Sequence, residues 1–202
     1  MAMAITSIIA LSIAGVSLVL STSYAQTQGF YANLQSGRAA MNTMQSALKK
    51  AKLVTGVSSS SLLFWAEGVN DADQGQINRG EMVLWTYDST TKQLKQAQIV
   101  YPPSAVAMNT TLSLTSAATT PTANSLPATD VYAQWKVLAN DVRAFSVTLD
   151  QAAPLTRCVK LKITTGDSAH QVTLESAVRL RADSTSNVTA SATGGYELGA
   201  SN

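Results

Sequence analysis

The sequence predicts an α+β fold in which one long N-terminal helix packs on an antiparallel β-sheet. Three observations carry that expectation. The first 37 residues contain no charged side chain, Arg38 being the first. A single apolar seam then continues at helical spacing without a proline, the first of which is Pro102. Beyond it come short apolar and aromatic runs separated by turn residues, the pattern of β-strands.

The N-terminal stretch MAMAITSIIALSIAGVSLVL covers Met1 to Leu20. As a helix it is ~30 Å long, the thickness of a bilayer core, so residues 1–24 are expected to be a transmembrane part. Ser7, Ala10, Ala14, Ser17 and Ser21 recur at spacings of three and four and form a stripe of small residues. Ile9, Ile13, Val16 and Leu20 form a face of large ones. Small stripes let helices approach closely in lipid.

Phe30, Leu34, Gly37, Met41, Met44, Leu48 and Ala51 follow at alternating spacings of four and three, one face of an amphipathic helix. Leu34, Met41, Met44 and Leu48 are the expected core seam, with Gln35, Asn42, Gln45 and Lys49 on other faces. Lys49, Lys50 and Lys52 suit a helix C-terminus, and Gly56 suits the residue just past it. The helix is thus expected from Met1 to about Val54, roughly 80 Å in length, with residues 25–55 as its amphipathic half.

Residues 56–181 read as a β-rich globular domain. Strands are expected at Ser61 to Glu67, Met82 to Tyr87 and Gln93 to Tyr101, the last two joined by a turn over Tyr87 to Lys92. Pro102-Pro103 closes that set, and a long Ala/Ser/Thr/Pro-rich loop occupies the region near 102–130. Val137 to Val142 suits a short helix or turn. Three further strands are expected at Ala144 to Leu149, Cys158 to Thr164 and Gln171 to Leu180, with Gly166-Asp167 in the last turn. Residues 182–202 are small and polar and read as a flexible tail.

Composition excludes several functions. Charged residues are 13% of the chain, against ~25% in soluble domains. The formal net charge of +2, with no long basic run, argues against nucleic acid as a partner. Cys158 is the single cysteine and cannot close an intrachain disulfide; in Arg157-Cys158-Val159-Lys160-Leu161 it reads as a strand residue. His170 begins a strand and reads as a surface residue. Trp65, Trp85 and Trp135 read as core or core-edge residues. No nucleophile–base set and no metal-spaced Cys/His set is present, so neither enzymatic activity nor a cofactor is expected. The one constellation with ligand-like spacing is Asn70 to Glu81 (NDADQGQINRGE), which has a glycine sixth and a glutamate twelfth, as in a calcium loop. Asn70, Asp71, Asp73 and Glu81 are its candidate ligands. Yet its first, third and fifth places are Asn70, Ala72 and Gln74, and Asp71 and Asp73 fall between ligand positions. It reads as a degenerate calcium-type loop or a solvated turn.

These residues resemble the type IV pilin and type II secretion pseudopilin superfamily. Its members begin with a short basic leader, a glycine, a phenylalanine and a glutamate, and the apolar helix follows at once. Met1-Ala2-Met3-Ala4-Ile5 is similar to the part just after that glutamate. The leader, its cleavage site and the glutamate are missing from the sequence as it stands, and the resemblance places them upstream of a late-assigned start or a truncation. Downstream, the Met/Leu seam over Met41 to Leu53, the Tyr87-Asp88 to Leu94 hairpin, the Val137 to Phe145 stretch and Val178-Arg179-Leu180-Arg181 resemble the larger minor pseudopilins, the J-type and W-type pilin-like proteins. The resemblance implies a non-enzymatic filament subunit of a type IV pilus or type II secretion system. It would be held in the bacterial inner membrane with its globular domain on the periplasmic side, and its partners would be other such subunits and membrane lipid.

A second reading is an exported β-rich binding domain, freed by cleavage of a signal peptide at Ser23-Tyr24-Ala25. Against it stand the lack of Lys or Arg before the apolar run, the length of that run, and the unbroken seam beyond it.

Overall fold

A computed structural model of the chain describes residues 2–66, 77–112, 114, 126–166, 170–181, 188–190 and 196–198, with the side chains of 2–10, 190 and 196–198 left out of that description. Helix α1 runs from Ala2 to Lys50, and strand β1, Ala51–Val57, starts at the next residue. The helix therefore stops short of the expected Val54, and Gly56 lies inside a strand rather than past a helix end. The reason is tertiary. Val54, Thr55 and Val57 are β-branched and suit a strand. The β1 ladder with β2, Ser61–Ala66, sets Leu53 opposite Trp65 and Val54 opposite Phe64.

The remaining strands are β3 (Ile77–Asn78), β4 (Met82–Asp88), β5 (Gln93–Ile99), β6 (Thr111–Leu112), β7 (Ala133–Ala139), β8 (Val142–Leu149), β9 (Cys158–Gly166), β10 (Gln171–Arg179), β11 (Val188–Ala190) and β12 (Tyr196–Leu198). They form an antiparallel five-stranded sheet in the order β1-β2-β4-β5-β7 and a three-stranded sheet in the order β10-β9-β8. Two small pairs, β3 with β6 and β11 with β12, complete the set. The expected helix or turn at Val137 to Val142 is instead the end of β7, a turn at Asn140-Asp141 and the start of β8, with Asp141 at φ 54°. Aspartate tolerates that left-handed conformation because its short side chain bonds locally. Within the expected loop near 102–130, Pro103–Met108 forms a 3-10 turn and β6 follows it. Within the expected tail, β11 and β12 pair antiparallel.

One core joins the helix to both sheets. Ala40, Met41, Met44 and Leu48 of α1 meet Phe64, Val83, Trp85 and Leu94 of the larger sheet, and Phe145, Val159, Leu161 and Ile163 of the smaller one. A second core lies on the far face of the larger sheet, where Leu53, Leu63, Trp65, Met82 and Leu84 pack with Ile77 and Leu114. Strands β1, β2 and β4 are thus covered on both faces, which is why SLLFWA and MVLWTY read as unbroken apolar runs. Strand β9 is covered on one face only, and its residues alternate: Val159, Leu161 and Ile163 are buried while Lys160 and Lys162 are exposed.

The hairpin ends are held by side chains. Asp88 Oδ1 accepts from the Thr90 and Thr91 backbone N–H groups at 2.9 and 3.1 Å, and its Oδ2 accepts from Lys95 Nζ at 2.8 Å. Asp150 Oδ1 accepts from the N–H groups of Arg157 and Cys158, both at 3.0 Å. At the β9–β10 turn Gly166 sits at φ +115°, and a Cβ there would lie 2.0 Å from the His170 carbonyl oxygen. Only glycine fits. His170 itself is half-buried rather than a fully exposed surface residue.

Met44 and Leu48 are fully buried, so Leu48→Ala should cost about 2–5 kcal/mol, read as a lower melting temperature. An unchanged melting temperature would mean the seam does not pack as described.

Acid should also weaken the fold. Asp88 is held below its ordinary value by the Lys95 ammonium and the Thr91 hydrogen bonds. Asp150 is lowered by the Cys158 N–H, and Glu175 by the Lys162 ammonium 2.8 Å away. A depressed folded value makes the contribution fully present above the unfolded pKa and lost as pH falls through the folded one. The melting temperature should therefore fall once pH drops below about 4, and Asp150→Asn should reduce that fall. A melting temperature that rises in acid would contradict these assignments.

Candidate functional site

Helix α1 changes environment along its length. Leu11 to Gly29 are exposed without exception, Phe30 and Leu34 are half-buried, and Gly37, Ala40, Met41, Met44 and Leu48 are buried. Of the expected core seam, Met41, Met44 and Leu48 are in the core and Leu34 lies at its margin. Gln35, Asn42 and Lys49 face solvent, as their positions on the helix require. Gln45 departs from that set: it is half-buried, and its amide donates to Ser176 Oγ on β10.

Close approach begins at Gly37, where an added Cβ would lie 3.0 Å from Leu174 Cδ1 and 3.3 Å from Thr165 Oγ1. The helix can lie this near the smaller sheet because that position has no side chain. Thr165 Oγ1 also donates to the Asn33 carbonyl at 3.4 Å. Above this point the helix leaves the domain.

The projecting part, 11–29, is ~28 Å long at 1.5 Å per residue. It carries Leu11, Ile13, Val16, Leu18, Val19 and Leu20 on its surface, each at least 60% exposed. Burying six such side chains is worth on the order of 10 kcal/mol. That is as large as the whole stability of a typical domain, so this surface has a strong drive to be covered. Three of its hydroxyls are bonded within the helix. Ser21 Oγ and Thr22 Oγ1 donate to the Leu18 carbonyl at 2.9 and 3.0 Å, and Thr27 Oγ1 donates to the Ser23 carbonyl at 2.8 Å. Such bonds satisfy a helix hydroxyl without water.

Of the small-residue stripe, Ala14 and Ser17 lie on this exposed part, while Ser7 and Ala10 fall outside the described side chains. Among the described residues no helix is long and apolar enough to cross a membrane. The expected span, Met1 to Leu20, begins in residues 2–10, whose side chains are also outside that description.

Of the calcium-type loop, Asn70, Asp71 and Asp73 lie outside the described residues. Glu81 is buried in the 3-10 turn Arg79–Glu81. Its Oε2 accepts from Trp65 Nε1 at 2.9 Å and from the Asn78 N–H at 3.2 Å. The twelfth-place carboxylate is therefore turned into the second core and bonded to an indole. Among the described residues no three His, Cys, Asp or Glu side chains converge as metal ligands would. Trp65 and Trp85 are in the cores, whereas Trp135 on β7 is 45% exposed, a departure from the core-edge expectation.

Ala14 has only solvent beside it in the single chain, so Ala14→Leu should leave the melting temperature of the domain unchanged. If the stripe is a helix–helix contact, the same change should reduce self-association of the full chain in detergent, read by cross-linking. Equal cross-linking would reduce the stripe to composition. Compared with known proteins, the chain matches no protein-family model and no curated protein.

Proposed function

We propose that the chain is a structural, non-enzymatic subunit of a filament of the pilin or pseudopilin kind, anchored by α1 in the bacterial inner membrane before assembly. The observation that carries this reading is the division of one helix into two surfaces. Its second half is a core element of the domain, and its first half is an uncharged rod, apolar over Leu11 to Leu20, that is exposed among the described residues. A cleaved signal peptide has no need to continue, without a break, into a helix that forms the domain's core. A catalytic protein has no need of the rod at all.

In this reading the rod has two successive covers. In the membrane it is lipid, which accepts Leu, Ile and Val side chains and self-satisfied hydroxyls. In the filament it is the rods of neighbouring subunits, with Ala14 and Ser17 allowing close approach and the globular domain facing outward. The energy of assembly then comes from apolar helix burial and close packing. The domain contributes position and the surface seen from outside.

The test is the fate of the rod in cells. The protein should sediment with the inner membrane, resist extraction by alkaline carbonate and keep residues 11–29 attached, read by intact-mass measurement. Recovery of a soluble periplasmic protein starting at Gln26 would overturn the proposal in favour of a secreted domain.

A further inference from the structure

The face of the larger sheet that is turned away from the helix core leaves a second surface without a partner among the described residues. Strand β7 ends the order β1-β2-β4-β5-β7, so one of its edges is unpaired among the described residues. The phase of the ladder is set by the Val100 N–H, which donates to the Tyr132 carbonyl at 3.2 Å. Backbone groups of one residue point to one side in an antiparallel ladder. Those of Tyr132, Gln134 and Lys136 therefore turn toward β5, and those of Trp135 and Val137 turn outward. The same two residues carry exposed side chains, 45% and 44% accessible. They border a groove of about 550 Å³ whose other walls include Thr86, Asp88 and Lys95. The other large apolar side chains exposed on the described globular part, Val100, Val106, Met108 and Val131, lie on β7's approach or on the segment after β5. Among the described residues no other edge of the two larger sheets combines these features. Strand β1 is buried along most of its length, and β8 and β10 show mainly polar exposed residues.

We infer that the β7 edge is a strand-addition site for an extended, acidic segment of a different polypeptide. Its backbone would pair with the outward N–H and C=O groups of Trp135 and Val137, one apolar side chain would cover the Trp135–Val137 surface, and a carboxylate would meet Lys136. Charge selects this occupant. Lys95 is neutralised by Asp88 at 2.8 Å, while Lys136 has no ion-pair partner among the described residues. The β7 edge therefore carries one uncompensated positive charge, on the sheet face opposite Trp135 and Val137. A second copy of the chain is disfavoured, since its β7 would bring another unpaired Lys136. A hydroxyl-rich small molecule finds few free partners: Thr86 Oγ1 is bonded to Ser61 Oγ at 2.8 Å, and both Asp88 oxygens are engaged. Backbone pairing supplies affinity in such sites and alternate side chains supply selectivity.

The probe is a capped seven-residue peptide alternating valine and glutamate, with a valine–lysine peptide as control, added to the full chain in detergent micelles. The glutamate peptide should slow hydrogen exchange at the Trp135 and Val137 amides and bind about tenfold more tightly than the lysine peptide. Lys136→Glu should reverse that preference without changing the melting temperature, since Lys136 is exposed. Backbone N-methylation of the peptide at alternate residues should abolish binding. Binding that survives N-methylation would overturn strand addition. So would equal affinity for the two peptides, no binding of either, or pairing of β7 with a second copy instead.

Discussion

Everything in this molecule depends on the burial of one short helical face, Ala40 to Leu48, between two sheets that do not otherwise form a closed structure. Strands β1, β2 and β4 of the larger sheet have a core on each face, while β7 at its edge leaves Trp135 and Val137 exposed. The smaller sheet has only the helix and the inner face of the larger one to shield Val159, Leu161 and Ile163. Remove the helix, and the inner faces of both sheets meet water. The seam residues therefore have a double duty. They hold the domain together, and they fix the direction in which the rest of the helix leaves it.

That direction explains how a single continuous helix is buried at one end and exposed at the other. Gly37 marks the change. On its C-terminal side one face of the helix, Ala40, Met41, Met44 and Leu48, is buried; toward the N-terminus every residue from Gly29 to Leu11 is exposed. The missing side chain allows contact with Leu174 and Thr165, and one turn further out the Thr165 hydroxyl holds the backbone carbonyl of Asn33. From Gly29 outward to Leu11 every residue of the helix is exposed. The exposed part of α1 and the unpaired edge of β7 are separate surfaces, the second lying on the outermost described strand of the larger sheet.

The helix and its seam were legible in the sequence because a 3.6-residue period over many turns has few competing explanations. Met41, Met44 and Leu48 were correctly placed for that reason. Strand-like runs were legible for the same kind of reason, since SLLFWA and MVLWTY are too apolar and too short to be anything but buried strands. What periodicity did not reveal was where tertiary pairing overrides local preference. Ala51 to Val57 continues the helical spacing at Ala51, yet forms a strand because β2 is there to pair with it. Val137 to Val142 holds a strand end, a left-handed aspartate and a strand start within six residues, and no period emerges from so short a mixture. The exposure of Trp135 was invisible for another reason: burial at a sheet edge depends on whether a further strand exists, which the strand's own residues do not state. The carboxylate of Glu81 had the spacing of a ligand, but the indole that binds it lies sixteen residues earlier, on strand β2.

The absence of any linker between Lys50 and Ala51 has a mechanical consequence. A pull along the helix axis does not first straighten a flexible connection. It enters β1 at its first residue and meets the antiparallel ladder with β2. Because β1 sits at one edge of the larger sheet with Leu53 in one core and Val54 in the other, sliding it would shear its ladder and strip both cores together. Torsion is transmitted in the same way, so a turn of the rod about its axis becomes a turn of the domain. The molecule behaves as a stiff lever rather than as a head on a tether.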